Sequence, residues 1–295
     1  MILDYILRRF ALLMFMMLTL SIFTFSLSFL FPGDALTNLS GITNSTFSQT
    51  SALEDKFHFT DNYVVQYFAF LDRILHGDWG VSFASGESVF QHIKDLFPAT
   101  LELSVYALFV SVAVGVPAGI LASAYYKRWP DKFINSGTLI GYSMPVFWLA
   151  LLLIMVFSLQ LGWFPMSGRM GLLYEIEPVT GFILIDIIAD DFPYHGMAFL
   201  DALHHLTLPT IVLAMYPTTV LVRFTRDSML KVLDQSYIKT ARAKGLNRAQ
   251  LIIHHALRNA LLPVIKQIGL QFSTLITLAM ITEVIFSWPG IGRWL

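Results

Sequence analysis

Five apolar windows, each near the length a helix needs to cross a bilayer, constrain this chain more than any other feature in it. They are Phe10 to Phe31, Leu101 to Tyr125, Gly137 to Gln160, Leu206 to Val222 and Val264 to Phe286. The first holds no charge in 22 residues, which is about 33 Å of helix and enough to cover a hydrocarbon core of roughly 30 Å. Only 13% of the residues are charged and 56% are hydrophobic, against about a quarter charged in a soluble domain. An all-α transmembrane fold follows. A cleavable signal peptide would carry a shorter apolar region, about 7 to 15 residues, so Phe10 to Phe31 is read as a retained span.

Pro117, Pro145, Pro209 and Pro217 fall inside the windows. Membrane helices tolerate such prolines because neighbours and water satisfy the freed carbonyls, so kinked spans are expected. Val179 to Ile188 is apolar but too short to cross, and reads as an interfacial or partly buried segment. Leu39 to Thr60, rich in Ser, Thr and Asn and without periodicity, reads as an irregular or mobile external loop.

The basic residues assign the sides. The N-terminus, the stretch Tyr126 to Ser136 and the stretch Arg223 to Pro263 hold thirteen Lys and Arg, whereas the opposite loops hold five. By the positive-inside rule the N-terminus is cytoplasmic. Fourteen acids sit in the outside loops, a negative face that could steer cations, although depletion of basic residues outside explains the bias more simply. The net charge of −1 calls for no nucleic acid.

Several chemistries lack their residues. With no cysteine there is no disulfide framework and no thiolate nucleophile or metal site. No Gly-Lys pair occurs, so no phosphate-binding loop is present, and neither a Gly-x-Ser-x-Gly elbow nor His-Glu-x-x-His appears. The pairs His204-His205 and His254-His255 point about 100° apart on a helix and have no acid cluster to close a site, so no metal is expected. Glu102 and Glu283 lie nearest the span interiors. Each either lines a translocation path or anchors a helix end, Glu102 near a helix start and Glu283 before the Pro289-Gly290 turn.

Ser236 to Gly245 forms a short helix-prone run that ends in a glycine suited to the left-handed conformation, and Asn247 then caps a second helix that Pro263 limits. Two short helices meeting at a glycine turn make a stiff basic element, able to sit in a partner's cleft and pass its motion to the spans.

The segment Tyr237 to Pro263 resembles the coupling loop of bacterial ABC importer permeases. Lys239-Thr240-Ala241 stands where the motif has Glu-Ala-Ala, Gly245 is its glycine, and Asn259 to Pro263 closes it. Lysine for glutamate and the longer stretch before the proline are features of the peptide-permease branch. Arg8-Arg9, Phe97 to Leu103, Ser143 to Leu149 and Glu283 to Gly292 are similar to the dipeptide and oligopeptide permeases. Leu172 to Gly181 and Gln271 to Glu283 most resemble the Sap branch, associated with antimicrobial-peptide uptake and resistance and, in some bacteria, with putrescine export.

The resemblance implies a type I ABC importer permease fold in the bacterial inner membrane, with five spans present of an expected six, the chain being read as truncated after Leu295. Residues 1–98 would form the first transmembrane helix and external loop, and 99–295 the permease core. Its implied partners are a second homologous permease, two cytoplasmic ATP-binding subunits that hydrolyse the ATP, a periplasmic substrate-binding protein and the bilayer. The chain would be no enzyme, would need no cofactor, and would move peptides, cationic or antimicrobial ones first. A putrescine or polyamine export permease is the alternative. An ion-coupled secondary transporter ranks third, because the spans offer no buried acid or histidine relay.

Overall fold

A computed structural model describes residues 2–42, 47–174, 176–189 and 194–295, so Glu175, Asp190 and Asp191 of the acidic loops lie outside the described residues. The described residues form helices and connecting turns, with one isolated bridge between Val81 and Ser88. Two compact units divide the chain, Met1–Asp95 and Leu96–Leu295.

In the first unit, α1 (Ile2–Leu30) carries Asp4, Arg8 and Arg9 in its first turns, is uncharged on every side beyond them, and is exposed along most of its length. A helix of that kind, with no polar face, is solvated by lipid. Its last turns bury Phe25, whose ring lies 5.1 to 5.6 Å from those of Phe29, Tyr67 and Phe70. Tyr67 and Phe70 come from α4 (Tyr63–Leu75), which Asn62 caps by accepting from the Val65 amide at 3.0 Å. Two shorter helices precede it, α2 (Ala35–Ser40), capped by Asp34, and α3 (Phe47–Lys56). The stretch Leu39 to Thr60 is therefore partly helical rather than irregular. Polar residues that suit turns are tolerated in α3 because the chain leaving it is anchored, with Phe57 buried beneath the Arg73 guanidinium, 3.6 Å from ring centroid to Cζ.

The second unit is built on α5 (Val89–Ala124) and α9 (His195–Leu233). Ala107, Ser111, Gly115, Gly119 and Ser123 recur every fourth residue of α5 and are all buried, a small-residue stripe that lets two membrane helices approach closely. A methyl on Gly119 would fall 2.6 Å from the Val222 carbonyl oxygen and 2.7 Å from Thr225 Cβ. Ser111 spans the same seam, its hydroxyl reaching the Ala107 and Ala214 carbonyls at 2.7 and 3.1 Å. Pro98 and Pro117 in α5, and Pro209 and Pro217 in α9, lie inside continuous helices.

The third apolar window is not one straight span. It divides into α6 (Trp129–Ser143) and α7 (Val146–Leu153), the latter continuing as a wider π turn through Gln160, with a bend of 102° between them. Pro145 forces the break: Met144, which precedes it, is driven to extended backbone (φ −81°, ψ 124°), and Pro145 has no amide to donate. Among the described residues, four helices are long and apolar enough to cross a membrane, and this bent pair brings the number to five if it counts as one span. The short segment α8 (Ile183–Ala189) fits a non-crossing role.

After α9 come α10 (Ser236–Ala243), α11 (Arg248–Gln250), a π turn over Leu251–Ala256, α12 (Leu257–Phe286) and α13 (Ile291–Trp294). Pro263 does not limit the second loop helix, because it lies inside α12. Among the described residues, three apolar clusters hold the unit. One centres on Leu103, Ile187, Leu213, Leu275 and Trp288, one on Met229, Ile238, Leu251 and Ala256, and one on Leu149, Leu208, Val212 and Phe286.

Candidate functional site

The segment between α9 and α12 is a self-braced loop. Ile238 and Ala241, three residues apart on one face of α10, are buried against Met229, Leu251 and Ile252. The chain reverses at Gly245 (φ +88°), whose amide reaches the Arg242 carbonyl at 3.0 Å. Only glycine takes that left-handed conformation without strain. Asn247 then restarts the helix through a reciprocal capping box, accepting from the Gln250 amide at 2.9 Å while the Gln250 side chain accepts from the Asn247 amide at 3.1 Å. From Arg248 to Phe286 the helix runs 39 residues without a break, so the loop's second arm and the last membrane-length helix are one body.

Among the residues singled out in the sequence, Tyr237 and Asn259 meet directly. The Asn259 amide donates to the Tyr237 hydroxyl at 2.8 Å, clasping α10 to the start of α12. Ala241 is buried under the loop, whereas Lys239 and Thr240 face outward. Lys239 pairs with Asp234 at 2.9 Å and holds that carboxyl below the usual carboxylate range, an exposed pair worth little to stability. Beside the clasp, Tyr237, His254, His255, Arg258, Asn259 and Leu262 line a cavity of about 500 Å³. Pro263 stands apart from it.

Glu102 and Glu283 are distant from the loop, Glu102 about 33 Å from the end of α5 at 1.5 Å per residue. Both are fully buried. Glu102 lies well inside α5 rather than near its start, because the helix begins at Val89, upstream of the apolar window. It forms an ion pair with Arg169, whose Nε donates at 3.1 Å. The Glu283 carboxylate accepts from the Gly292 amide at 2.7 Å, and its carbonyl from the Trp288 amide at 2.9 Å, fastening the Trp288 to Gly292 turn back onto α12. Trp288 in turn donates through Nε1 to the Ala99 carbonyl at 3.0 Å. In this conformation the two acids anchor packed elements and neither is open to solvent.

Sequence reasoning missed a third buried acid. Asp131 on α6 accepts from Arg226 on α9 through both oxygens, at 2.6 and 3.0 Å, from Asn135 at 2.8 Å and from the Lys127 amide at 2.8 Å. Arg223, one turn earlier, donates to Thr138 and lies 5.2 Å from the Tyr142 ring. Glu102 and Glu283 lie buried within membrane-length helices and Asp131 within α6, each hydrogen-bonded to a neighbouring element or turn, while Oε1 of Glu283 accepts no hydrogen bond among the described residues. The available signal was Arg223 and Arg226 on one helical face directly after an apolar window.

Membrane-length helices packed through small residues, and a braced loop continuous with one of them, define a multi-pass membrane protein. The chain belongs to the family described as the binding-protein-dependent transport system inner membrane component, which it matches over residues 115–295, with the family's N-terminal region matching over 2–104. It is 50% identical over 222 residues to the peptide transport system permease protein SapB of Salmonella typhimurium, covering 75% of this chain and 69% of that one. It is 49% identical, with the same coverage, to the putrescine export system permease protein SapB of Escherichia coli K12. The di/tripeptide transport system permease protein DppB of Pseudomonas aeruginosa is 43% identical over 99% of this chain and 86% of its own length. The chain is thus a multi-pass inner-membrane permease component of the dipeptide and oligopeptide branch, most like SapB, and not itself an enzyme.

Proposed function

We propose that this chain is the channel-forming permease of an ATP-driven transporter that moves peptides, cationic ones among them, across the inner membrane. Residues 1–98 supply the first span and an external loop, and 99–295 the permease core. The N-terminus and the loop from Tyr237 to Pro263 face the cytoplasm. There the loop docks on one of two ATP-binding subunits, which hydrolyse the ATP, and a second homologous permease and a periplasmic binding protein complete the assembly.

The observation that carries this reading is the construction of the loop. Gly245, the capping box at Asn247 and the Tyr237–Asn259 clasp make a rigid foot, and its second arm is the same helix as the last span. Closure of the ATP-binding pair would displace the foot and tilt that helix, rocking the core between inward-open and outward-open states.

The test is Gly245→Phe in the reconstituted full complex. Nothing lies within 4 Å of a side chain added there, so Gly245→Ala isolates the backbone strain and the phenylalanine adds bulk toward the partner. Loss of peptide-stimulated ATPase beyond that of the alanine variant is expected, and unchanged coupling in both would sink the role of the loop. Polyamine export is the second reading, favoured by the name of the Escherichia coli relative. Net putrescine efflux from cells, with no stimulation by peptide, would select it.

A further inference from the structure

Where the loop meets the ends of α5 and α9, Leu233, Leu246, Leu251 and Ile252 wall a cavity of about 350 Å³ whose polar lining is Arg242 and Arg248. Sites for small ligands fall in the range of roughly 300–1,000 Å³. No acidic residue lines this one. The Arg248 guanidinium donates to the Ala124 carbonyl at the C-terminal end of α5, which orients it and leaves its charge without a carboxylate. The Arg242 guanidinium has no ion pair or hydrogen-bond partner among the described residues. Two cations thus converge on an apolar-walled recess.

The depth of the recess is marked by its neighbours. Ala124 is followed at once by Tyr125, Tyr126 and Trp129, all exposed and interleaved with Lys127 and Arg128. Exposed aromatic and basic residues at the end of a membrane-length helix mark the level of the headgroups. Given the orientation proposed above, on which this step rests, that level is the cytoplasmic leaflet.

We infer that this recess seats the phosphodiester of an anionic phospholipid. Arg242 and Arg248 hold the phosphate oxygens, which guanidinium forks match in geometry, and the leucines and Ile252 contact the glycerol and upper acyl chain. A basic pocket at the cytoplasmic surface is the form such sites take. A lipid held there bridges the loop to α5 and α9, so coupling acquires a dependence on anionic lipid.

The experiment is native mass spectrometry of the full transporter complex, delipidated and then supplied with phosphatidylglycerol or phosphatidylcholine. The wild type retains phosphatidylglycerol and releases phosphatidylcholine. Arg242→Gln, which leaves the Arg248 contact with α5 intact, lowers retention severalfold, and the Arg242→Gln/Arg248→Gln pair lowers it roughly tenfold or more. Lys127→Gln/Arg128→Gln removes equal charge outside the cavity and leaves retention near the wild-type value.

Equal retention in the wild type and Arg242→Gln would overturn the proposal, as would an equal loss in the Lys127/Arg128 control. Displacement of the bound species by millimolar inorganic phosphate would reassign the recess to a free anion. If the arginine variants keep their lipid but shed the ATP-binding subunit, the recess receives an acidic segment of that partner instead. Lipid retention is read without transport or ATPase activity, so its failure is separable from failure of the peptide reading.

Discussion

Arg169 reaches the buried carboxylate of Glu102 and the Gly181 carbonyl with one guanidinium, which also lies 5.5 Å from the Trp288 ring. Within the second unit, α5, the backbone at Gly181 and the turn after α12 therefore meet at one cation. Removing one member of a buried pair leaves an uncompensated charge, at a cost of about 3–5 kcal/mol. Arg169→Ala should lower the detergent melting temperature of the complex more than Glu102→Gln does, because glutamine keeps the shape and removes the charge. The double variant Glu102→Gln/Arg169→Ala should recover part of the Arg169→Ala loss. Additive losses would mean that the two side chains do not depend on each other.

The Asp131–Arg226 pair joins α6 to α9 through two parallel hydrogen bonds, with further donors on Asp131 from Asn135 and the Lys127 amide. Only a planar guanidinium can make that fork. Arg226→Lys should therefore destabilise the protein by about 1.5–3 kcal/mol even though the charge is kept, the size of a lost charged hydrogen bond. Asp131→Asn should cost at least as much, since it removes the buried carboxylate and leaves Arg226 only its longer, exposed pair with Asp227 at 3.3 Å. A melting temperature for Arg226→Lys equal to the wild type would show that one point contact suffices.

The apolar windows located the membrane-length helices because burial in lipid requires the same residue type on every face. They missed the helix starts at Val89, Trp129 and His195, since those turns are polar and lie beyond the apolar run. The break at Pro145 was visible as a proline, but its 102° bend depends on extended backbone at two successive residues that no window reports. Gly245 and Asn247 were legible because each works through its own backbone. The pairs Asp131–Arg226 and Glu102–Arg169 were not, because their partners are 95 and 67 residues apart and only the packing of the helices brings them together.

Gly292 sits against the Met280 backbone so closely that a methyl group there would overlap the Met280 Cα, and its amide donates to Glu283. Backbone cannot move aside as a flexible side chain can. Gly292→Ala should displace the turn that carries Trp288 and cost about 1–3 kcal/mol, the usual range for overpacking. Gly269→Ala, where nothing lies within 4 Å, is the matched control and should leave stability unchanged or slightly raised, alanine being the better helix former. Limited proteolysis compares the two, and equal cleavage rates would contradict the tight fit at Gly292.

In the first unit, Asp78 binds Lys56 at 2.7 Å and Arg73 at 3.1 Å. The Arg73 hydrogen bond is the main reason its carboxyl is held well below the usual carboxylate range, with Lys56 adding to the effect against the opposing influence of burial. The folded state therefore favours the charged form more than the unfolded chain does, whose aspartate titrates near about 3.9. Protons bind the unfolded state first as pH falls, so the contribution of Asp78 is complete above about pH 5 and declines from about pH 4 downward. The difference in thermal midpoint between the full-length wild type and Asp78→Asn should be constant from about pH 7 to 5 and shrink toward pH 3, other carboxylates cancelling in the comparison. A difference that widened on acidification would show that Asp78 is not charged in the folded protein.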